Sequence, residues 1–327
     1  MICVEPSFWS RMRPDEHFHT SVLLKEAVAL LAPQPGETFV DGTLGGGGHT
    51  EALLQAGAHV IGLDQDPEAL AFAKEKRLHR YGDVFHPVRA NFDQLASVLD
   101  ELGIPAVDGV LLDLGVSSWQ LDTPERGFSF QREGPLDMRL DPDGPLTAAD
   151  IVNTAPAAEL VRIFHMYGEE PHARRIAARI VSTRASHPFA TTMELALAVE
   201  EVVPRRGRIH PATRIFQALR IAVNREMEVL ESVLGQATAR VRPGGRIAII
   251  AFHSLEDRMV KEFFKLRSTP ELDRPEWPAP RPNPDYLFEA LTRKPVIASA
   301  EEQQRNPRSR SAKLRAVRKI QPTAANS

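Results

Sequence analysis

The stretch Phe39-Val40-Asp41-Gly42-Thr43-Leu44-Gly45-Gly46-Gly47-Gly48-His49 decides how the rest of this chain is read. An apolar strand over residues 38–41 runs into consecutive glycines and then, over residues 50–56, into a helical pattern. Such a turn lets a ligand approach bare backbone at a helix N-terminus, where anionic groups are favoured. Two common glycine motifs fail here. A phosphate loop needs lysine after its last glycine, and Gly48 is followed by His49 and Thr50. A strict GxGxxG fingerprint needs a third glycine where Thr50 stands. What remains is an acidic residue, Asp41, before a glycine-rich turn, with a second carboxylate, Asp64, closing the next strand at a spacing that suits ribose hydroxyls. A βα turn without a ligand is the competing reading, and four adjacent glycines weigh against it.

Working outward, Ser21 is placed to cap a first helix whose apolar residues Val22, Leu23, Ala27, Leu30 and Leu31 recur at helical spacing. Downstream, strands are predicted at residues 59–63, 84–89 and 107–112, with helices after Pro67 and over residues 92–102. Repeated βα units imply a parallel sheet. The alternation stops at residues 120–208, where helical patterns cover 157–164, 173–183 and 192–202. A long amphipathic helix from Ala212 to about Val241, the turn Pro243-Gly244-Gly245 and a strand over residues 246–252 then resume the α/β pattern. Residues 269–284 are rich in proline and read as a loop, and residues 311–320 supply a last strand. The expected architecture is an α/β domain, discontinuous over residues 15–120 and 209–321, with a helical insertion at 121–208 and a loose tail at 1–14.

With 327 residues and 43% hydrophobic composition the chain buries a large core, which excludes a disordered protein. Its formal net charge of -3 carries no global basic signature, so nucleic-acid contact must come from local clusters. Cys3 is the only cysteine. That excludes an internal disulfide framework, a Cys-rich zinc site and most thiol chemistry, and it suits a reducing cytoplasm. The first residues mix Trp9, Arg11 and Arg13 without an apolar run, unlike a signal peptide or a membrane span.

In open α/β sheets ligands bind outside the carboxyl ends of the strands. Asp64, Asn91, Phe92, Asp113 with the loop Leu114-Gly115-Val116-Ser117-Ser118-Trp119-Gln120, and His253 all fall at such ends. Asn91 and Phe92 offer an amide and a ring for a purine, although Phe92 taken singly is as readily a core residue. Strand-end capping is the plainer reading of Asp64 and of the Asp113–Ser117 pair, and His253 read alone is more readily structural. Two basic clusters lie elsewhere: Arg174, Arg175, Arg179 and Arg184 with Arg205, Arg206, Arg208 and Arg214, and residues 305–319. They could neutralise phosphates, although charge runs are commonly solvated faces.

These residues, together with His19-Thr20-Ser21-Val22-Leu23-Leu24, Glu125-Arg126-Gly127-Phe128-Ser129-Phe130, Gly134-Pro135-Leu136-Asp137-Met138-Arg139, His210-Pro211-Ala212-Thr213-Arg214, Phe252 to Arg258 and Asn306-Pro307-Arg308, closely resemble one family. It is the bacterial 16S ribosomal RNA cytosine-N4 methyltransferases of the RsmH or MraW type. The resemblance implies a Rossmann-like class I methyltransferase sheet with an inserted helical domain that helps recognise RNA. It implies that Gly47, Gly48, His49, Asp64, Phe92, Asp113 and Gln120 contact S-adenosylmethionine. Trp119 stands where many relatives carry a smaller residue.

The reaction so implied is in-line transfer of a sulfonium methyl to the exocyclic amine of a cytidine, with Asp113, Ser117 and His253 as candidates to orient that amine and no metal ligands called for. Trp119, Phe128 or Phe252 could stack on an unpaired or flipped-out base. Expected partners are 16S rRNA or the small ribosomal subunit, with a homodimer left open and no membrane. A nicotinamide-dependent oxidoreductase is the runner-up enzyme, against which the failed GxGxxG counts. An RNA-binding assembly factor with a vestigial cofactor site is the non-enzyme alternative.

Overall fold

The computed structural model describes residues 21–205, 207 and 210–321. Five strands build the parallel part of the sheet: β1 (Thr38–Asp41), β2 (His59–Asp64), β3 (Phe85–Arg89), β4 (Val107–Asp113) and, after the helical region, β5 (Val241–Ala251). Strand order is β3-β2-β1-β4-β5, continued by two antiparallel strands, β9 (Lys313–Lys319) and β8 (Phe288–Ala290). The order reverses between β1 and β4, which opens a crevice at their carboxyl ends. Adjacent residues of β1 face opposite ways, as the strand period of two requires: Val40 packs on one side and Phe39 on the other. On the Val40 side lie α4 (Leu95–Glu101), α11 (Glu226–Arg240) and α12 (Ser254–Arg267). On the Phe39 side lie α1 (Leu24–Leu31) and α2 (Gly48–Gln55). The helix after Pro67 is α3 (Pro67–Phe72), capped by the Asp66 side chain.

A separate core forms from α6 (Ala148–Thr154), α7 (Ala157–Met166), α8 (Ala173–Arg184), α9 (Thr192–Val202) and α10 (Ala212–Asn224), closed by Phe128, Leu136 and Met138. This core crosses the boundary expected at residue 208, because α10 buries Ile215, Phe216 and Leu219 in it. The single long helix expected from residue 212 to 241 is therefore two. Arg225 adopts a left-handed conformation (φ 50°, ψ 38°) between them. The break lets α10 bury Leu219 in the helical core while α11 packs Leu230, Val233 and Leu234 against the sheet.

Three smaller expectations change. Ser21 does not cap α1, which follows a left-handed Leu23 with no side-chain cap. The proline-rich loop contains a two-stranded antiparallel ladder, β6 (Glu271–Leu272) with β7 (Arg281–Pro282). The turn at residues 242–245 is a loop-out within β5, since Val107 pairs with Val241 while Gly109 pairs with Arg246. A short helix, α5 (Ser118–Asp122), and a last one, α13 (Ala300–Arg305), complete the chain. Among the described residues no helix is long and apolar enough to cross a membrane.

Candidate functional site

At the carboxyl ends of β1, β2 and β4 a cleft of about 760 Å3 opens to solvent. Its floor is the glycine turn. Gly47 takes φ 75°, a left-handed geometry that turns the chain into α2, and the N–H of Gly47 donates to the Leu44 carbonyl (2.7 Å). Gly48 lines the cleft, and a Cβ there would sit 1.9 Å from the Ser21 hydroxyl oxygen, so the turn and the start of the described chain close on each other only through glycine. Gly47 itself shapes the turn without lining the cleft.

Asp41 organises this turn from below. Its carboxylate is buried and accepts from the Thr50 hydroxyl (2.7 Å) and the Thr43 N–H (3.1 Å), while the Thr43 hydroxyl accepts from the Asp113 N–H (2.6 Å). Burial pushes the Asp41 carboxyl above its ordinary value, against the lowering effects of His49 and Thr50. Asp64 lies at the wall, its oxygens accepting from the N–H groups of Gly45 (2.8 Å) and Asp66 (2.9 Å). Burial outweighs those two bonds and raises its pKa to about 6. His49 is buried, with Nε2 donating to the Val22 carbonyl (3.1 Å) and Nδ1 3.6 Å from an Asp113 oxygen.

Six of the residues expected at the site therefore line one cleft with Gly48: His49, Asp64, Phe92, Asp113, Ser117 and Gln120. Ser117 and Gln120 do so as a capping pair at the start of α5. The Ser117 hydroxyl accepts from the Gln120 N–H (3.2 Å), and the Gln120 side-chain oxygen accepts from the Ser117 N–H (2.9 Å).

His253 does not line the cleft. In the neutral ring Nδ1 caps α12 by accepting from the Glu256 N–H (3.4 Å), a bond that the protonated ring gives up, and Nε2 lies 3.0 Å from Glu256 and 4.0 Å from Glu226. Burial lowers its pKa, but the bonds to Glu226 and Glu256 prevail and raise it to about 9. Arg220 engages both Glu226 oxygens (2.7 and 2.8 Å), so this buried cluster of two carboxylates and an imidazole already holds its balancing cation. The ring is fixed by its neighbours and is a structural junction of α10, α11 and α12.

Two site-forming residues escaped the sequence reading. Asp66, fully buried, accepts from Gln120 Nε2 (2.8 Å) and from Arg126 (2.6 Å). Arg126 also donates to the carbonyls of Arg139 (3.1 Å) and Leu140 (3.0 Å), and it stacks near the rings of Trp119 and Phe128. This holds Leu140 over the cleft, which it lines. The signal for Asp66 was present as an Asp before Pro67 at a helix start, whereas that for Arg126 depends on the fold. Of the three proposed stacking rings, Phe252 lines the cleft and Phe128 is buried in the helical core; Trp119 packs against Arg126.

A family model described as the MraW methylase family matches residues 16–320. The protein named ribosomal RNA small subunit methyltransferase H in Carboxydothermus hydrogenoformans is 50% identical over 308 residues, covering 93% of this chain and 99% of its own length. Its namesake in Trichlorobacter lovleyi is 51% identical over 312 residues, covering 94% and 99%. That of Anaeromyxobacter dehalogenans is 52% identical over 305 residues, covering 92% and 98%. The chain belongs to the MraW methylase family.

Proposed function

We propose that the chain transfers a methyl group from S-adenosylmethionine to the exocyclic N4 of a cytidine in the 16S rRNA of the small ribosomal subunit, in the cytoplasm. The observation that carries this reading is the cleft itself, a glycine turn facing a half-buried, hydrogen-bonded carboxylate in a chain of the methylase family. The relatives' printed names supply the substrate class.

The residues present fit the cofactor. Bare backbone at Gly45 and Gly48 admits a close ligand, Asp64 offers a carboxylate to ribose hydroxyls, and Phe92 and Leu114 give apolar walls to a base. When bound, the cofactor supplies an electrophilic sulfonium methyl. The chain's own work is alignment and exclusion of water, which supplies up to about 7–11 kcal/mol of the barrier. Asp113 and Ser117 line the cleft as acceptors for the target amine, and the Phe252 ring offers it an apolar face. The helical insertion, residues 121–208 extended by α10, supplies the RNA-recognition surface.

Nitrogen is preferred over ring carbon 5 as acceptor, because methylation at carbon 5 calls for a cysteine that adds to carbon 6. Cys3, the only one, lies outside the described residues, and among the described residues no cysteine lines the cleft. Mass spectrometry of nucleosides from small subunits treated with the protein and labelled cofactor tests this. N4-methylcytidine, retained by Cys3→Ala, is the expected product; 5-methylcytidine, or activity abolished by Cys3→Ala, overturns the assignment.

A further inference from the structure

The helical insertion carries a groove of about 1100 Å3 between α7 and the start of α8, and it shares no residue with the cleft. From α7 come Ala158, Val161, Arg162, His165 and Met166, spaced to lie on one face of the helix, opposite the face that enters the helical core. From α8 come Arg174 and Arg175, both exposed. We infer that this groove binds the single-stranded RNA flanking the target cytidine, with phosphates on Arg174 and Arg175 and sugars and bases over Val161 and Met166. The inference rests on the methyl-transfer reading above and names the face of the insertion that meets the substrate.

Charge selects a polyanion. Arg162 is balanced by Glu159 (2.6 Å), and Glu170, the one carboxylate among the lining residues, is balanced by Arg214 (3.8 Å). Arg174 and Arg175 make no ion pair among the described residues. Arg175 donates to the Val202 carbonyl (3.3 Å), which fixes its direction and leaves its charge uncompensated. Two such guanidinium groups beside one groove suit phosphate oxygens. The apolar floor then selects a single strand. Met166 is 50% exposed and Val161 half-buried, and an unpaired strand brings ring faces to such a floor where a duplex presents mainly phosphate and sugar.

Position ties the groove to the cleft. In the turn between α7 and α8, Glu169 takes a left-handed conformation (φ 49°) and accepts from the Ser254 hydroxyl (2.8 Å) and from Arg258 (3.2 Å) at the start of α12. Ser254 closely follows Phe252, which lines the cleft where the target amine is placed, and Glu170, next to Glu169, lines the groove. Cleft and groove are therefore on the order of 15 Å apart along this route, a span that a few nucleotides of extended strand cover.

Steady-state methylation of small subunits from cells lacking this protein, alongside calorimetry with S-adenosylhomocysteine, tests this. Arg174→Glu should raise the KM for subunits about tenfold, the scale of one lost contact to a charged group, with kcat and S-adenosylhomocysteine affinity unchanged. Arg174→Lys keeps the charge and should hold KM near the wild-type value. Ala158→Trp, at an exposed position of α7, fills the groove without changing its charge and should raise KM in the same way. Arg274→Glu makes the same charge change outside the insertion and should leave KM within about twofold. An equal rise in KM for Arg274→Glu, or an unchanged KM for Ala158→Trp, would overturn the groove and leave the methyl-transfer reading intact. So would groove variants that keep KM but change the oligomeric state in sedimentation, because the groove would then receive a second copy of the chain. A wild type that binds S-adenosylhomocysteine and leaves the subunits unmethylated would overturn the methyl-transfer reading as well.

Discussion

Asp64, the carboxylate proposed to hold the cofactor's ribose, carries a cost for the free protein. With its pKa raised to about 6, the folded chain binds more protons at this group than the unfolded chain between about pH 4 and pH 6. The contribution of Asp64 to stability therefore falls as pH rises through that window and levels off above it. Asp64→Asn should flatten this dependence in denaturant titrations at pH 4.5 and pH 7. Asp64→Ala should weaken cofactor binding by about 1.5–3 kcal/mol, the scale of a hydrogen bond to a charged group, without unfolding the domain. Unchanged affinity by calorimetry would remove Asp64 from the site. Gly48 is constrained differently, by the Ser21 hydroxyl 1.9 Å from where a Cβ would be. Gly48→Ala should cost about 1–3 kcal/mol of stability through overpacking, and Ser21→Gly in the same chain should restore most of it. A loss that the second change fails to relieve would place the strain elsewhere in the turn.

At the scale of elements, the start of α12 is locked to α10 and α11 by charge. His253 has a folded pKa of about 9 against an ordinary value of about 6.5, so its stabilising contribution is fully present below about pH 6.5 and is lost as pH rises through 9. The groups facing it are Glu256 of its own helix, Glu226 of α11 and, behind Glu226, Arg220 of α10. His253→Gln should consequently destabilise the protein more at pH 6 than at pH 10 in urea unfolding. An equal penalty at both values would mean that the imidazole is held neutral and that only its N-cap bond matters. The short α5 is locked by a different device, in which Asp66 of the α3 cap receives both Gln120 and Arg126.

At the scale of the molecule, the basic clusters divide by what already holds them. Arg179 pairs with Glu201 (2.5 Å), Arg184 donates to the Val152 carbonyl (2.7 Å) and Arg175 to the Val202 carbonyl (3.3 Å). Near the C-terminus Arg308 pairs with Asp122, Lys313 and Arg315 pair with Asp257, and Arg318 pairs with Glu289. Arg206 and Arg208 lie outside the described residues. Arg174 is exposed on α8 and makes no ion pair among the described residues. If the insertion carries rRNA, Arg174→Ala should flatten the salt dependence of rRNA binding by a slope of about 0.7, one phosphate contact on a single strand. Arg179→Ala should flatten it less, since Glu201 already neutralises that guanidinium. Salt titrations in which Arg179→Ala has the larger effect would reverse this ranking.

The sequence by itself determined the parallel α/β sheet, because short strand patterns alternate with helical periods, and three of the strands, β1, β2 and β4, end at an acid, Asp41, Asp64 and Asp113. It also picked out Gly48, Asp64, Phe92 and Asp113, which line one cleft, because they fall at or just beyond strand carboxyl ends. Tertiary structure alone decided the rest, wherever a residue's role depends on a neighbour far along the chain. His253 sits at a strand end like Asp113, yet Glu226 and Glu256 draw it into a buried ion cluster away from the cleft. Arg126 reads as one charge in a loop, yet it joins Asp66 to the Leu140 carbonyl across the site. The break at Arg225 is invisible to a periodicity that continues through it, because two cores, not the local pattern, compete for the two halves of that helix.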